Sequence, residues 1–293
     1  MVEPGLYTAD RVIETKLDNR LAKLEAELGG DVLVFVDYLI YGADDAIRDA
    51  VELLKDRKST LYVVLETQGG YVEVVERIVD TLRHHYGKVA FIIPNYAFSA
   101  GTVLAMSGDV IYMDYYSVLG PIDPQVRRPG GDTMVPALGY LEQYDRLIKK
   151  SKKGKLTTAE LTFLVQKFDP GELYDYEQQR ELSMTLLKNW LVRYKFKNWK
   201  RTQTRKKTVT KSMRARRAAD IAKCLNDTKR WHSHGRGISM DVLRNDVGIQ
   251  IEDYGNDPEL NTSIREYYKL LKDYMMRLAH RGIIHTRERY GVP

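Results

Sequence analysis

From residue 8 to residue 114 the chain alternates short apolar runs with amphipathic stretches, and no other feature narrows the fold as far. The runs DVLVFVDYL, LYVVLET, KVAFIIPN and DVIYMD have the length of buried strands. Their Val, Ile and Leu residues run on without polar interruption, as in strands covered on both faces. Between them, DDAIRDAVELLKDRK, VEVVERIVDTLRHHY and FSAGTVLAMSG place apolar residues at helical spacing. Residues 8 to 28 do the same with Val12, Ile13, Leu17, Leu21, Leu24 and Leu28, and stop at Gly29-Gly30. This rhythm predicts an α/β fold: parallel strands joined by right-handed helical crossovers.

The alternation ends at the turn-rich GPIDPQVRRPGGD. The expected organisation is an α/β core over 1–135, a helical continuation over 136–193, a basic segment over 194–217 and a mainly helical region over 218–293. Within the continuation, KKSKKGK and Pro170-Gly171 read as breaks. With 293 residues and 43% hydrophobic content, the chain can bury a large core. Its single cysteine, Cys224, excludes an intrachain disulfide and a four-cysteine zinc site. There is no HExxH pair and the histidines are scattered, so no metal and no other cofactor is expected. MVEPGLYTADRVIETK has no apolar stretch of the signal-peptide kind, and no run approaches the ~18 residues of a membrane span. The expected location is the cytoplasm.

Two strand-to-helix turns carry the candidate chemistry. In QGGY, residues 68 to 71, two glycines leave backbone N–H groups free at the positive end of a helix dipole. That suits an oxyanion hole, and equally a tight turn that needs glycine. One strand later, PNYAFSAG sets Ser99 before Ala100-Gly101 at a helix start. In parallel sheets reactive groups gather beyond the carboxyl ends of the strands, so the two turns should lie side by side. Ser99 is a candidate nucleophile there; taken alone, it is a good helix cap. The GxSxG elbow is absent.

LETQGGYVEVVERI, followed by PNYAFSAGTVLAMSGDVIYMDYYSVLGPIDPQ, resembles the serine peptidases with a Clp-protease-like, crotonase-type fold. Within that group it is most similar to the serine dehydrogenase proteinase branch, related to signal peptide peptidase A type enzymes. SHGRGI at 233 to 238 resembles that branch too. The resemblance implies a serine peptidase acting on polypeptides through an acyl-enzyme at Ser99, with Gly70 and the N–H of Ala100 as oxyanion donors. It implies a strand edge at Gly69-Gly70 that aligns an extended peptide, and a homo-oligomeric assembly. No nicotinamide or pyridoxal-phosphate fingerprint accompanies it.

A serine hydroxyl needs a base. The Clp enzymes carry a histidine in the turn that reads LGPIDPQ here, and this chain has Asp123 and no histidine there. Three sources remain open. His234 lies in WHSHGRGI and carries an imidazole, the side-chain type suited to proton transfer near neutral pH; it is the residue assigned here as base, with a structural role in the loop as the alternative. His232 is its neighbour in the same loop. The third source is a lysine among Lys149, Lys150, Lys152, Lys153 and Lys155, which would have to be desolvated to serve. Asp123 can orient a base or form an Asx turn.

The net charge of +6 is unevenly spread. Between Glu181 and Asp220 about thirteen Lys and Arg occur with no acidic residue, leaving the rest of the chain acidic. Tyr194, Phe196 and Trp199 interleave with these cations, which suits nucleic-acid binding. A solvated helix or linker, docked or not on an acidic neighbouring subunit, explains the composition as well. A non-catalytic scaffold that keeps the fold for assembly is the remaining alternative.

Overall fold

The computed structural model describes residues 8–127, 134–202 and 206–293. The leading MVEPGLY, the Arg128–Asp132 part of the turn-rich stretch and residues 203–205 of the basic segment lie outside the described residues. The chain opens with α1 (Thr8–Leu28), β1 (Asp31–Val36), α2 (Ala43–Leu53), β2 (Thr60–Glu66), α3 (Val72–His85) and β3 (Lys88–Ile92). β4 (Tyr96–Ala97), α4 (Ala100–Met106), β5 (Val110–Met113) and β6 (Val118–Leu119) follow, then the hairpin β7 (Gln125–Arg127) and β8 (Met134–Pro136).

Helices dominate next: α5 (Ala137–Lys152), α6 (Thr158–Lys167), α7 (Pro170–Trp190), α8 (Lys211–Leu225) and α9 (Thr228–Trp231). The chain closes with β9 (Ile238–Ser239), α10 (Met240–Val242), β10 (Glu252–Asp253), α11 (Pro258–Arg277), β11 (Ile283–Thr286) and β12 (Arg289–Gly291).

The main sheet has the order β10-β5-β3-β2-β1-β11-β12. β1, β2, β3 and β5 are mutually parallel, as the alternation predicts. The continuous apolar runs follow from burial on both faces. Leu33 and Phe35 of β1, Leu61, Val63 and Leu65 of β2, and Val89 and Phe91 of β3 face a core shared with α2, α3 and α4. The intervening Val32, Val34, Tyr62, Val64, Ala90 and Ile92 face a second core with Leu17, Leu21 and Leu24 of α1 and Tyr267 and Leu271 of α11.

Three features add detail to the sequence expectations. The carboxyl-terminal region contributes sheet as well as helix: β11 pairs antiparallel with β1, and β10 pairs parallel with β5. The break at Pro170-Gly171 separates α6 from α7: Pro sits in the first turn of α7 and Asp169 caps the N–H groups of Gly171 and Glu172. Lys149, Lys150 and Lys152 belong to the last turn of α5, where cations complement the helix dipole.

Candidate active site

A small second sheet, in the order β4-β6-β9, builds the site. β4 runs parallel to β6, pairing Tyr96 with Val118 and Ala97 with Leu119. β9 runs antiparallel to β6, pairing Leu119 with Ile238 and Val118 with Ser239. The residues that follow Ala97, those that follow Leu119 and those that precede Ile238 therefore leave the sheet at one end. These are the segments of Ser99, Asp123 and His234. Thr102 ties two of them together. Its hydroxyl accepts the Gly120 N–H at 2.9 Å and lies 2.8 Å from the Ala97 carbonyl oxygen.

Ser99 ends the turn from β4 into α4 with φ 52° and ψ −118°. A non-glycine residue in that region costs on the order of 1–3 kcal/mol and persists only where its surroundings impose it. The surroundings here are close: a Cβ on Gly69 would stand 2.9 Å from Ser99 Cβ and 3.0 Å from the Phe98 carbonyl oxygen. Ser99 occupies the capping position, yet its side chain makes no cap hydrogen bond. A capping serine adopts extended backbone, so the observed conformation turns the hydroxyl away from the helix N–H groups. Hence the cap role is overturned. The strand-to-helix elbow is present in the backbone although the GxSxG sequence is not.

QGGY continues β2 beyond Glu66, between two neighbours. Thr67 bridges to Ala97 on one side and Gly70 to Leu39 on the other. Leu39 N–H donates to the Gly69 carbonyl at 2.9 Å, and Tyr71 N–H donates to the Leu39 carbonyl at 2.8 Å. The described residues contain no cis peptide. In the trans Gly69–Gly70 peptide the N–H points opposite to the C=O, so Gly70 N–H faces away from Leu39, toward the side of residues 97–100. Glycine is obligatory: φ is +153° and a Cβ would lie 2.2 Å from the Leu39 carbonyl oxygen. Ala100 N–H is the first of α4, one of the N–H groups that no helical turn can satisfy.

Asp123 is buried, 1% exposed, with His234 Nδ1 at 2.9 Å from its Oδ1 and Gln125 Nε2 donating to Oδ2 at 2.8 Å. Among the described residues no backbone N–H reaches this carboxylate, so the Asx-turn alternative does not hold. An ionised carboxylate only accepts, which assigns the imidazole proton to Nδ1 and leaves Nε2 with its lone pair. His234 is partly exposed, and Nε2 has no hydrogen bond among the described residues. His232 is exposed and terminates α9 with a left-handed backbone. Lys149, Lys150, Lys152, Lys153 and Lys155 are all exposed, and Lys150 Nζ lies 2.5 Å from Glu160. Desolvation, the condition for a lysine base, is absent at all five.

Asp123 and His234 are thus directly bonded, and Gly69 packs on Ser99. The Ser99 hydroxyl itself makes no hydrogen bond among the described residues.

Glu66 was not anticipated. It ends β2, is 3% exposed, and accepts from Lys272 Nζ at 2.7 Å, from Asn95 Nδ2 at 3.3 Å and from the Tyr268 hydroxyl. It fastens α11 beneath both candidate turns. An apolar strand ending in Glu was the one available signal, and both α11 partners lie about 200 residues away.

The basic segment is docked on its own chain. Lys197 pairs with half-buried Asp109, and Arg83, also bound to Asp109 at 2.7 Å, stacks 3.7 Å from the Tyr194 ring centroid. Arg214 donates to the Trp199 carbonyl, and Arg217 to those of Val247 and Gly248. Nothing in this arrangement supports the nucleic-acid alternative. Part of the segment is a solvated helix, α8, with Lys211 and Arg216 exposed, and the acidic partner of Lys197 is intramolecular.

Fold and turns together define an α/β domain with a mostly parallel sheet. More particularly, residues 31–167 match the family model of the ClpP-like SDH-type serine proteinases, which bears out the resemblance carried by QGGY, FSAGT and LGPIDPQ. Two proteins of Methanocaldococcus jannaschii are similar in sequence. Uncharacterized protein MJ1495 is 34% identical over 124 residues, 41% of this chain and 38% of that protein. Uncharacterized protein MJ0137 is 33% identical over 97 residues, 31% of this chain and 34% of that protein. The matches thus span little more than a third of either relative.

Among solved structures, a 1510-N membrane-bound stomatin-specific protease aligns with TM-score 0.33 and 16% identity, over 50% of this chain and 74% of the other. The ClpP protease catalytic domain from Plasmodium falciparum aligns with TM-score 0.30 and 12% identity, over 34% and 57%. No helix among the described residues is long and apolar enough to cross a membrane.

Proposed function

We propose that this chain is a serine peptidase in which Ser99 is the nucleophile, His234 the general base and Asp123 the residue that orients His234. The observation that carries this reading is the 2.9 Å Asp123–His234 hydrogen bond, at the same end of the small sheet as the strained Ser99. His234 Nε2 takes the Ser99 hydroxyl proton as Oγ attacks the substrate carbonyl. Negative charge moves onto the carbonyl oxygen, where Gly70 N–H and Ala100 N–H donate to it. The intermediate collapses as His234 returns the proton to the leaving amine, giving an acyl-enzyme at Ser99. Water then attacks the ester, its proton passing to His234 and on to Ser99 as the acid product departs.

The substrate is an extended polypeptide, aligned along the Gly69-Gly70 edge by main-chain hydrogen bonds. A homo-oligomeric assembly accompanies this reading by family resemblance.

Labelling with a fluorophosphonate probe, with the adduct located by mass spectrometry, tests it. The expected result is one adduct, on Ser99, and none in Ser99→Ala. An unlabelled wild type, or an adduct on another serine, overturns the assignment.

A further inference from the structure

A second concentration of positive charge differs in kind from the docked basic segment. One face of α5 carries Arg146 and Lys149, Lys153 follows directly after the helix, and Lys229 of α9 lines the same cavity. With Lys150 and Lys155 these side chains line an open cavity of about 570 Å³. That volume lies within the ~300–1,000 Å³ range of small-molecule sites, but the wall is ionic where such sites are usually apolar.

Six cations face two lining carboxylates, Glu142 and Asp145. Lys229 is matched by Glu142 at 3.2 Å and Lys150 by Glu160 at 2.5 Å. Arg146, Lys149, Lys153 and Lys155 have no carboxylate partner among the described residues. The dipole of α5 explains the lysines of its last turn. It does not explain Lys229, which comes from another helix, or Arg146, which lies a turn earlier. Like charges gathered around a concavity repel one another, and a bound multivalent anion relieves that repulsion while the walls concentrate the field.

We propose that this cavity is a binding site for a compact polyphosphate, either the phosphate chain of a nucleoside triphosphate or inorganic tripolyphosphate. Lysines supply point charges to the phosphates, and Arg146 supplies a planar fork suited to two oxygens of one group. The ligand competes with Glu142 for Lys229. Because α9 leads directly into the loop of His234, that competition acts on the segment that positions the base. The binding site itself stands independently of any peptidase activity.

Calorimetric titration of the full chain at low salt, with ATP and separately with inorganic tripolyphosphate, is the test. Saturable one-site binding is expected for at least one of them. In the double variant Lys149→Glu/Lys153→Glu, affinity should fall roughly 100-fold, and in the milder Lys149→Gln/Lys153→Gln roughly tenfold. A control pair in the other basic segment, Lys207→Glu/Lys211→Glu, should leave affinity within about threefold. Tighter binding of ATP shows that the nucleoside is held as well, and equal binding assigns the site to the phosphates alone; both support the proposal. It is overturned by no saturable binding at millimolar ligand, by equal loss in the control pair, or by sulfate competing as well as tripolyphosphate. The Gln variant keeps the outcome readable if charge reversal unfolds α5.

Discussion

The two halves of the candidate site are built on opposite plans. The serine half is a pair of strand-to-helix turns in the parallel core, locked by sheet pairing and by the lack of room for any side chain at Gly70. The histidine half is a partly exposed loop, held by two ladder pairs and one hydrogen bond to a residue 111 positions earlier. Backbone packing that is part of the core should govern stability and chemistry together. A loop tethered at its margin should govern chemistry with little effect on stability. Substitutions in the two halves are therefore expected to separate these readouts.

Asp123→Asn probes the second half. The amide can keep the contact while donating to Nδ1, which moves the imidazole proton to Nε2 and leaves no base facing Ser99. A loss of roughly 10²–10⁴ in probe-labelling rate is expected, with the thermal midpoint shifted by no more than a few degrees. Equal losses of rate and of folded protein would erase the distinction between the halves.

Gly70→Ala belongs to the first half. Its Cβ meets the Leu39 carbonyl oxygen at 2.2 Å, so the peptide must move and carry the Gly70 N–H out of place. Labelling should fall about 10²–10³-fold, as for loss of one oxyanion donor, and thermal stability should fall with it. A stable variant with full labelling would show that Gly70 N–H is not a donor.

What was legible in the sequence follows the same division. The parallel sheet, the helix over residues 8 to 28 and the pairing of QGGY with FSAG were readable because each rests on local periodicity or on consecutive strands. Ser99 at a helix start reads locally as nucleophile and as cap alike, and only its φ of 52°, away from the extended backbone of a capping serine, separates the two. Asp123 next to proline carried an Asx-turn signal that its bond to His234 overrides. β11 is a four-residue strand at the far end of the chain, and it reads as sheet only once β1 is there to pair with it. Glu66 resembles a strand-end surface residue until α11 brings Lys272 and Tyr268 onto it. The partners that matter most to the candidate site are those farthest apart in sequence.

The central claim is that His234, and not a lysine, activates Ser99. Its most direct test is the fluorophosphonate labelling rate of Ser99 in His234→Ala beside a chain in which Lys149, Lys150, Lys152, Lys153 and Lys155 are all changed to Ala. A roughly 10³-fold or greater loss in His234→Ala with near-native labelling in the lysine variant is the predicted result. Full labelling in His234→Ala, with loss in the lysine variant, would contradict the account and return the base to the lysine cluster.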